Sequence, residues 1–159
     1  MIKYYFLTGS NIGNSAEHLH AARQNIVHKL GIVNNASSIY KTAPWGNTNQ
    51  QDFLNQVLEV QTEMTPEKVL ETILQIEQEM GRTRLHKWEP RIIDIDILFA
   101  SDLICKSSGL TIPHPLLHER RFTLEPMNEI ATDFVHPVLN KTIAQLLDDC
   151  IDQSNVEKL

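Results

Sequence analysis

The sequence predicts an α+β chain built on a split β-α-β unit, with a largely antiparallel sheet, helices packed on it and extra elements toward the C-terminus. Three observations carry that expectation. Strand-like and helix-like stretches follow one another in the order β-α-β-β-α-β. Both helix-like stretches open on a capping residue and close on glycine. No repeat, low-complexity tract or linker rich in Pro, Gly and Ser divides the 159 residues. One domain spanning 1–159 is therefore expected, long enough to bury a core without disulfides or metals as staples.

Residues 2–8 are aromatic and branched and end at Gly9, which reads as a buried strand. Asn14 can cap the next segment, with Glu17 three residues on. Leu19, Ala22, Ile26 and Leu30 then recur at helical spacing, and Gly31 stops the helix. Residues 32–41 read as a second strand and 53–61 as a third, separated by a polar loop over 43–52 that holds Pro44 and Gly46. Thr65 caps a second helix that has Pro66 in its first turn. Val69, Ile73, Ile76 and Met80 line the core face of that helix, which ends at Gly81. Residues 82–91 have no periodicity and form a second long loop. A strong strand over 92–99 and a short one over 103–105 follow. A short helix is expected at 116–121 and a terminal one at 142–149. This is the ferredoxin-like pattern. It places the helices on one face of the sheet and leaves the other open for a ligand.

The formal charge of −6 argues against a general nucleic-acid binder. The charge is unevenly spread. Five of the six arginines lie between positions 82 and 121, a segment of seven basic and five acidic residues and so +2, while the rest of the chain is −8. Guanidinium groups gathered in an acidic chain point to a localised site for phosphate or carboxylate. Cys105 and Cys150 have neither metal-ligand nor disulfide-framework spacing and read as small thiols in a reducing compartment. The N-terminal apolar run is too short for a signal peptide, and no run is long enough to span a membrane, so the cytoplasm is expected.

The sharpest chemical feature is Ile92-Ile93-Asp94-Ile95-Asp96-Ile97-Leu98-Phe99. Period two places Ile93, Ile95 and Ile97 on one face and Asp94 and Asp96 on the other, about 6.6 Å apart at Cα. Asp is disfavoured in strands, and two carboxylates at this spacing can share hard cations such as Mg²⁺. Directly before the strand, residues 81–91 bring Arg82, Arg84, Lys87, Arg91 and Trp88. Cations beside a carboxylate pair suit phosphoryl-type transfer, where charge shifts in the transition state. Phe53 and Asn55 share a strand face, so a ring and an amide could hold a flat heterocycle; a core Phe and a structural Asn remain open. Phe122, behind Arg120 and Arg121, could supply a second ring. His114 stands between Pro113 and Pro115, which restrict its backbone, and could donate to a phosphate oxygen.

Taken together, these pieces resemble the 6-hydroxymethyl-7,8-dihydropterin pyrophosphokinases of folate biosynthesis. The resemblance begins at Phe6-Leu7-Thr8-Gly9-Ser10-Asn11 and is most specific at Trp88-Glu89-Pro90-Arg91-Ile92-Ile93-Asp94-Ile95-Asp96-Ile97-Leu98. Tyr40-Lys41-Thr42-Ala43-Pro44-Trp45-Gly46, Phe53-Leu54-Asn55 and Pro113-His114-Pro115 with Arg120 and Phe122 match in order and spacing. Glu89, Gly109, Pro115, His118 and Ile92 depart from residues common in the family.

The resemblance implies transfer of diphosphate from ATP to the pterin hydroxymethyl oxygen, with release of AMP. It implies that Asp94 and Asp96 ligate two Mg²⁺ ions and that Arg82 and Arg91 handle the moving phosphates. Glu77, Arg84, Trp88, Arg91, Thr111, His114 and Arg120 would contact ATP or close over it; for Glu77 an ion pair with an Arg is an equal alternative. Phe53 and Phe122 would sandwich the pterin, with Asn55, Thr42, Ala43 and Trp45 reading its edge and Trp88 and Asp94 also on the pterin side. No role for Arg121 follows. A monomer acting on these two small molecules, without nucleic acid or membrane, is expected. Two other readings compete: a metal-dependent nucleotidyl transferase or nuclease, and a non-catalytic ferredoxin-like binding module. An acidic surface disfavours the first, and an Asp pair that repels phosphate unless metal is bound disfavours the second.

Overall fold

The computed structural model describes residues 1–44, 49–81 and 92–159. Its elements in chain order are β1 (Ile2–Ser10), α1 (Ser15–Lys29), β2 (Ile32–Ala36), β3 (Tyr40–Thr42), β4 (Phe53–Thr62), α2 (Pro66–Glu79), β5 (Asp94–Ala100), β6 (Cys105–Ser107), β7 (Leu110–Ile112), α3 (Arg121–Ala131), α4 (Ile143–Asp149) and β8 (Val156–Lys158). Strand β1 is central, pairing with β4 on one side and β5 on the other. The main sheet runs β5-β1-β4-β3-β8, with β2 also on β4, and every pairing is antiparallel.

The first two helices form as their sequences predict. Asn14 accepts the Glu17 N–H at 3.2 Å, and Leu19, Ala22 and Ile26 are buried along α1. Thr65 accepts the Lys68 N–H, Pro66 occupies the first turn, and Val69, Ile73 and Ile76 are buried along α2. Gly81 then turns the chain at φ +88°, a conformation that favours glycine. These helices cover one face of the sheet, where Tyr4, Phe6, Leu58, Val60, Ile93, Ile95 and Ile97 join their apolar residues in one core.

The opposite face is not open. Helices α3 and α4 cover much of it, and Leu124, Met127, Ile143 and Leu146 pack there with Tyr5, Leu7, Val57, Leu98 and Phe99. Local signals miss α3: its N-cap is Arg120, which makes no side-chain capping bond, and Pro126 lies inside it. The short helix expected at 116–121 is a 3-10 turn at Leu117–Glu119 that leads into α3. The expected terminal helix is α4, where Thr142 and Gln145 form a complete capping box.

Two further expectations change, and one further strand appears. The single strand over 32–41 is two strands, because the Ser37 side chain enters the ladder in place of backbone. Its Oγ accepts the Val57 N–H at 2.9 Å while its own N–H donates to Val57 O. The short strand expected at 103–105 lies instead at β6 and pairs with β7 as a hairpin. Gly109 turns that hairpin at φ +79°, which accounts for glycine there. Strand β8 has no alternating signature and forms by pairing with β3.

Candidate active site

On the face shared with α3 and α4, register aligns residues of different strands into rows. Tyr40 pairs with Asn55, Asn55 with Gly9, and Gly9 with Asp94, so one row crosses four strands. The next row holds Val57, Leu7 and Asp96. In front of both rows, Thr42 pairs with Phe53. Period-two geometry thus brings together Asp94, Asp96, Asn55 and Phe53 from segments some 40 residues apart. Leu7 and Val57 belong to the core beneath the helices, so the row of Gly9 marks where the packed face gives way to the site.

Gly9 makes room for this arrangement. A Cβ at position 9 would stand 2.5 Å from Asn55 Nδ2, so a larger residue would displace the amide. Asn55 is buried and its Nδ2 donates to Thr8 O at 3.4 Å. Its Oδ1 is buried and has no hydrogen-bond partner among the described residues. A buried amide oxygen in that condition costs free energy unless a ligand or water supplies a donor. Phe53 beside it is half-buried, Thr42 is buried and Ala43 is exposed.

Asp94 and Asp96 are half-buried, while Ile93, Ile95 and Ile97 on the other face are buried, as the alternation predicts. Beneath them, Glu77 on α2 is buried and its Oε2 accepts the Ile95 N–H at 2.8 Å. Ile95 lies between the two aspartates on an edge strand, so Glu77 supplies the acceptor that no neighbouring strand provides.

His114 closes another side. Its backbone N–H donates to Leu98 O at 3.0 Å, which fastens the loop to β5. Its Nδ1 accepts the Leu116 N–H at 3.1 Å, so the neutral ring carries its proton on Nε2. Burial and then the Arg120 guanidinium push the imidazole down to about 4, against an opposing effect of Asp94. The ring is neutral at ordinary pH and can donate from Nε2 without carrying charge. Arg120 is half-buried with its guanidinium 5.6 Å from the centre of the Phe122 ring. Thr111 is exposed on β7.

Register thus gathers Asp94, Asp96, Asn55, Phe53 and Thr42, His114 acts electrostatically with Asp94 and Arg120, and Phe122 lies beside Arg120. Trp45, Arg82, Arg84, Trp88 and Arg91 lie outside the described residues. The basic loop expected over 82–91 lies there with them, apart from Gly81. Sequence reasoning missed Gly9 as the residue that admits Asn55. Its only signal was a glycine at the end of a strand, and register alone shows what it faces. It also missed what Arg121 does. That side chain pairs with Glu125 at 3.1 Å and donates to Asp152 O and Cys150 O.

Comparison with known proteins follows the same lines. Residues 5–132 match the family model described as 7,8-dihydro-6-hydroxymethylpterin-pyrophosphokinase (HPPK). The 2-amino-4-hydroxy-6-hydroxymethyldihydropteridine pyrophosphokinase of Haemophilus influenzae is 39% identical over 153 residues, covering 93% of this chain and 95% of its own. That of Methylorubrum extorquens is 39% identical over 160 residues, covering 100% and 99%. Among solved structures, wild-type Plasmodium falciparum HPPK-DHPS with pteroate superposes with a TM-score of 0.75 at 19% identity. The match covers 93% of this chain and 42% of that one, so this chain spans less than half of that longer protein, and the likeness is one of fold.

Proposed function

The chain belongs to the 7,8-dihydro-6-hydroxymethylpterin-pyrophosphokinase family, and from that premise we propose that it transfers the terminal diphosphate of ATP to the hydroxymethyl oxygen of 6-hydroxymethyl-7,8-dihydropterin and releases AMP. The observation that carries the reading is the row Tyr40-Asn55-Gly9-Asp94. It sets an unsatisfied amide oxygen, fit for a heterocycle edge, across one glycine from a carboxylate fit for a cation.

The pterin side of the site is Phe53, Asn55 and Phe122 with the backbone at Thr42 and Ala43, joined by Trp45 and Trp88. The aromatic rings stack on the flat heterocycle, and Asn55 Oδ1 accepts from its N–H groups. The nucleotide side is Thr111, His114 and Arg120, joined by Arg84 and Arg91, and Glu77 stands behind Asp94 and Asp96 on the Ile95 N–H. His114 donates from Nε2, and the permanent charge of Arg120 holds phosphate oxygens.

Asp94 and Asp96 fit Mg²⁺. They are two oxygen donors on one strand face, the small donor set of an ion that keeps several waters and takes further oxygens from substrate phosphates. Among the described residues no group of three or more His, Cys, Asp and Glu side chains forms a larger cage. When bound, Mg²⁺ neutralises phosphate charge and polarises the phosphorus centre. The chain's own contribution is position. Asn55 and the rings orient the pterin so that its hydroxyl oxygen faces the β-phosphorus in line with the departing AMP. Arg82 and Arg91 hold charge that shifts during transfer. No side-chain nucleophile takes part, so both cysteines are outside the chemistry.

We propose that the working enzyme is a cytoplasmic monomer. No helix among the described residues is long and apolar enough to cross a membrane.

The deciding assay supplies ATP, Mg²⁺ and the reduced pterin alcohol and resolves the nucleotide products. AMP formed in step with pterin diphosphate is expected. ADP as product, or no pterin-dependent turnover, would sink the reading.

A further inference from the structure

Arg121 sits between two proposed site residues, Arg120 and Phe122, yet its own bonds all run elsewhere. Its Nε donates to Asp152 O at 2.7 Å, its Nη2 to Cys150 O at 3.4 Å and its Nη1 to Glu125 Oε1 at 3.1 Å. Its backbone N–H donates to Asp152 Oδ2 at 2.9 Å. That last bond matters most for α3. The first N–H groups of a helix have no partner within it, and a capping side chain normally accepts one of them. Arg120 occupies the N-cap position with no side-chain capping bond. A carboxylate 31 residues further along the chain takes that place. Its negative charge also lies at the positive end of the helix dipole.

Asp152 is itself held. Its Oδ1 accepts from the N–H and the hydroxyl of Ser154. Burial pushes its carboxyl up, but the bonds from Ser154 and Arg121 outweigh burial and hold it below the usual carboxylate range. The acceptor is therefore ionised at neutral pH and fixed in place. The guanidinium meanwhile straps the segment 150–152 to the first turn of α3. Thr123 and Leu124 both bond back to Arg120 O, so the geometry of this turn passes directly to Arg120 and Phe122.

We propose that Arg121 and Asp152 form a positioning pair that sets the first turn of α3, and through it the placement of Arg120 toward the nucleotide and Phe122 toward the pterin. This deepens the reading of the site given above and rests on it. Neither residue touches substrate, and the pair acts by making the helix start at one residue and at one angle.

Four variants test this in the full chain, with binding of the reduced pterin and of a non-hydrolysable ATP analogue with Mg²⁺ measured well below the melting temperature. In Asp152→Ala both dissociation constants are expected to rise about fivefold, the factor that loss of a helix cap corresponds to. In the same variant the amides of 121–124 should exchange hydrogen faster, while kcat at saturation stays within about twofold. Asp152→Asn retains an oxygen that can accept the Arg121 N–H, and it should restore most of the binding. Arg121→Lys keeps the backbone bond to Asp152 and a charge for Glu125 but cannot reach Asp152 O and Cys150 O together, and its dissociation constants should fall between those of the parent and of Asp152→Ala.

A lower melting temperature with both dissociation constants and 121–124 exchange unchanged would overturn the pair's role, since that is what a merely structural bond predicts. Phe122→Ala separates the two levels. If it weakens pterin binding while Asp152→Ala does not, only the positioning role fails. If it leaves pterin binding unchanged, the reading of the site fails and takes the positioning role with it.

Discussion

Glu77 Oε2 on α2 accepts the Ile95 N–H at 2.8 Å, and Ile95 stands between Asp94 and Asp96 on the sheet's edge. A helix on one face of the sheet thus fixes the strand that presents both carboxylates on the other. Replacing Glu77 with Leu leaves the Ile95 N–H buried without an acceptor, at a cost of about 1–3 kcal/mol. Glu77→Gln keeps an amide oxygen and should recover most of that loss. Urea midpoints of the two variants check this; an unchanged midpoint for Glu77→Leu would mean that the bond contributes nothing.

Gly9 faces Asn55 and Asp94 from the central strand. A methyl group there would lie 2.5 Å from Asn55 Nδ2, so Gly9→Ala should swing the amide and break its bond to Thr8 O. Pterin affinity is expected to fall about tenfold, roughly the value of one well-placed hydrogen bond. Binding of the ATP analogue should change less than about twofold. A fluorescence titration with each ligand decides, and equal losses for both would contradict a pterin-side role for Asn55.

Asp96 is half-buried on the strand face opposite the isoleucine core, so its loss need not disturb packing. Asp96→Ala should keep the circular dichroism spectrum of the parent and lose turnover by at least about a hundredfold. Manganese binding, followed by electron paramagnetic resonance, should weaken in the same variant. Full turnover in the folded variant would remove Asp96 from the proposed cation site.

His114 makes stability depend on pH in a defined window. Its folded pKa of about 4 lies below the ordinary value near 6.5, so the unfolded chain takes up the proton first. This contribution to stability is undiminished above pH 6.5, falls as pH drops toward 4 and levels off below that, by about 3 kcal/mol at most. His114→Gln should flatten the difference between midpoints measured at pH 7 and pH 4.5. A ring titrating near 6.5 by nuclear magnetic resonance would contradict this.

The alternation in 92–99 and the spacing of Phe53 and Asn55 depend on local chain geometry. The face that each pair shares within its own strand is therefore legible in the order of residues alone, and so are α1, α2 and α4 with their caps. Local signals fail where distant residues do the work. Helix α3 has no cap of its own, because Asp152 supplies it across 31 residues. Strand β8 lacks an alternating pattern because its partner β3, and not its own side chains, gives it form. The face expected to be open is covered because α3 and α4 bring Leu124, Met127, Ile143 and Leu146 onto Tyr5, Leu7 and Val57.

By itself, then, the sequence determined which chemistry the chain can carry: paired carboxylates in a strand, a ring beside an amide, a histidine between prolines and a cluster of arginines. Period two and helical spacing are properties of the local backbone, and residue types need no neighbours to be read. Tertiary structure alone decided that Gly9 stands between Asn55 and Asp94, that Glu77 holds Ile95, and that the Arg121 N–H meets Asp152 at the start of α3. Register and long-range hydrogen bonds join residues far apart in the chain, and only the folded sheet brings them within bonding distance.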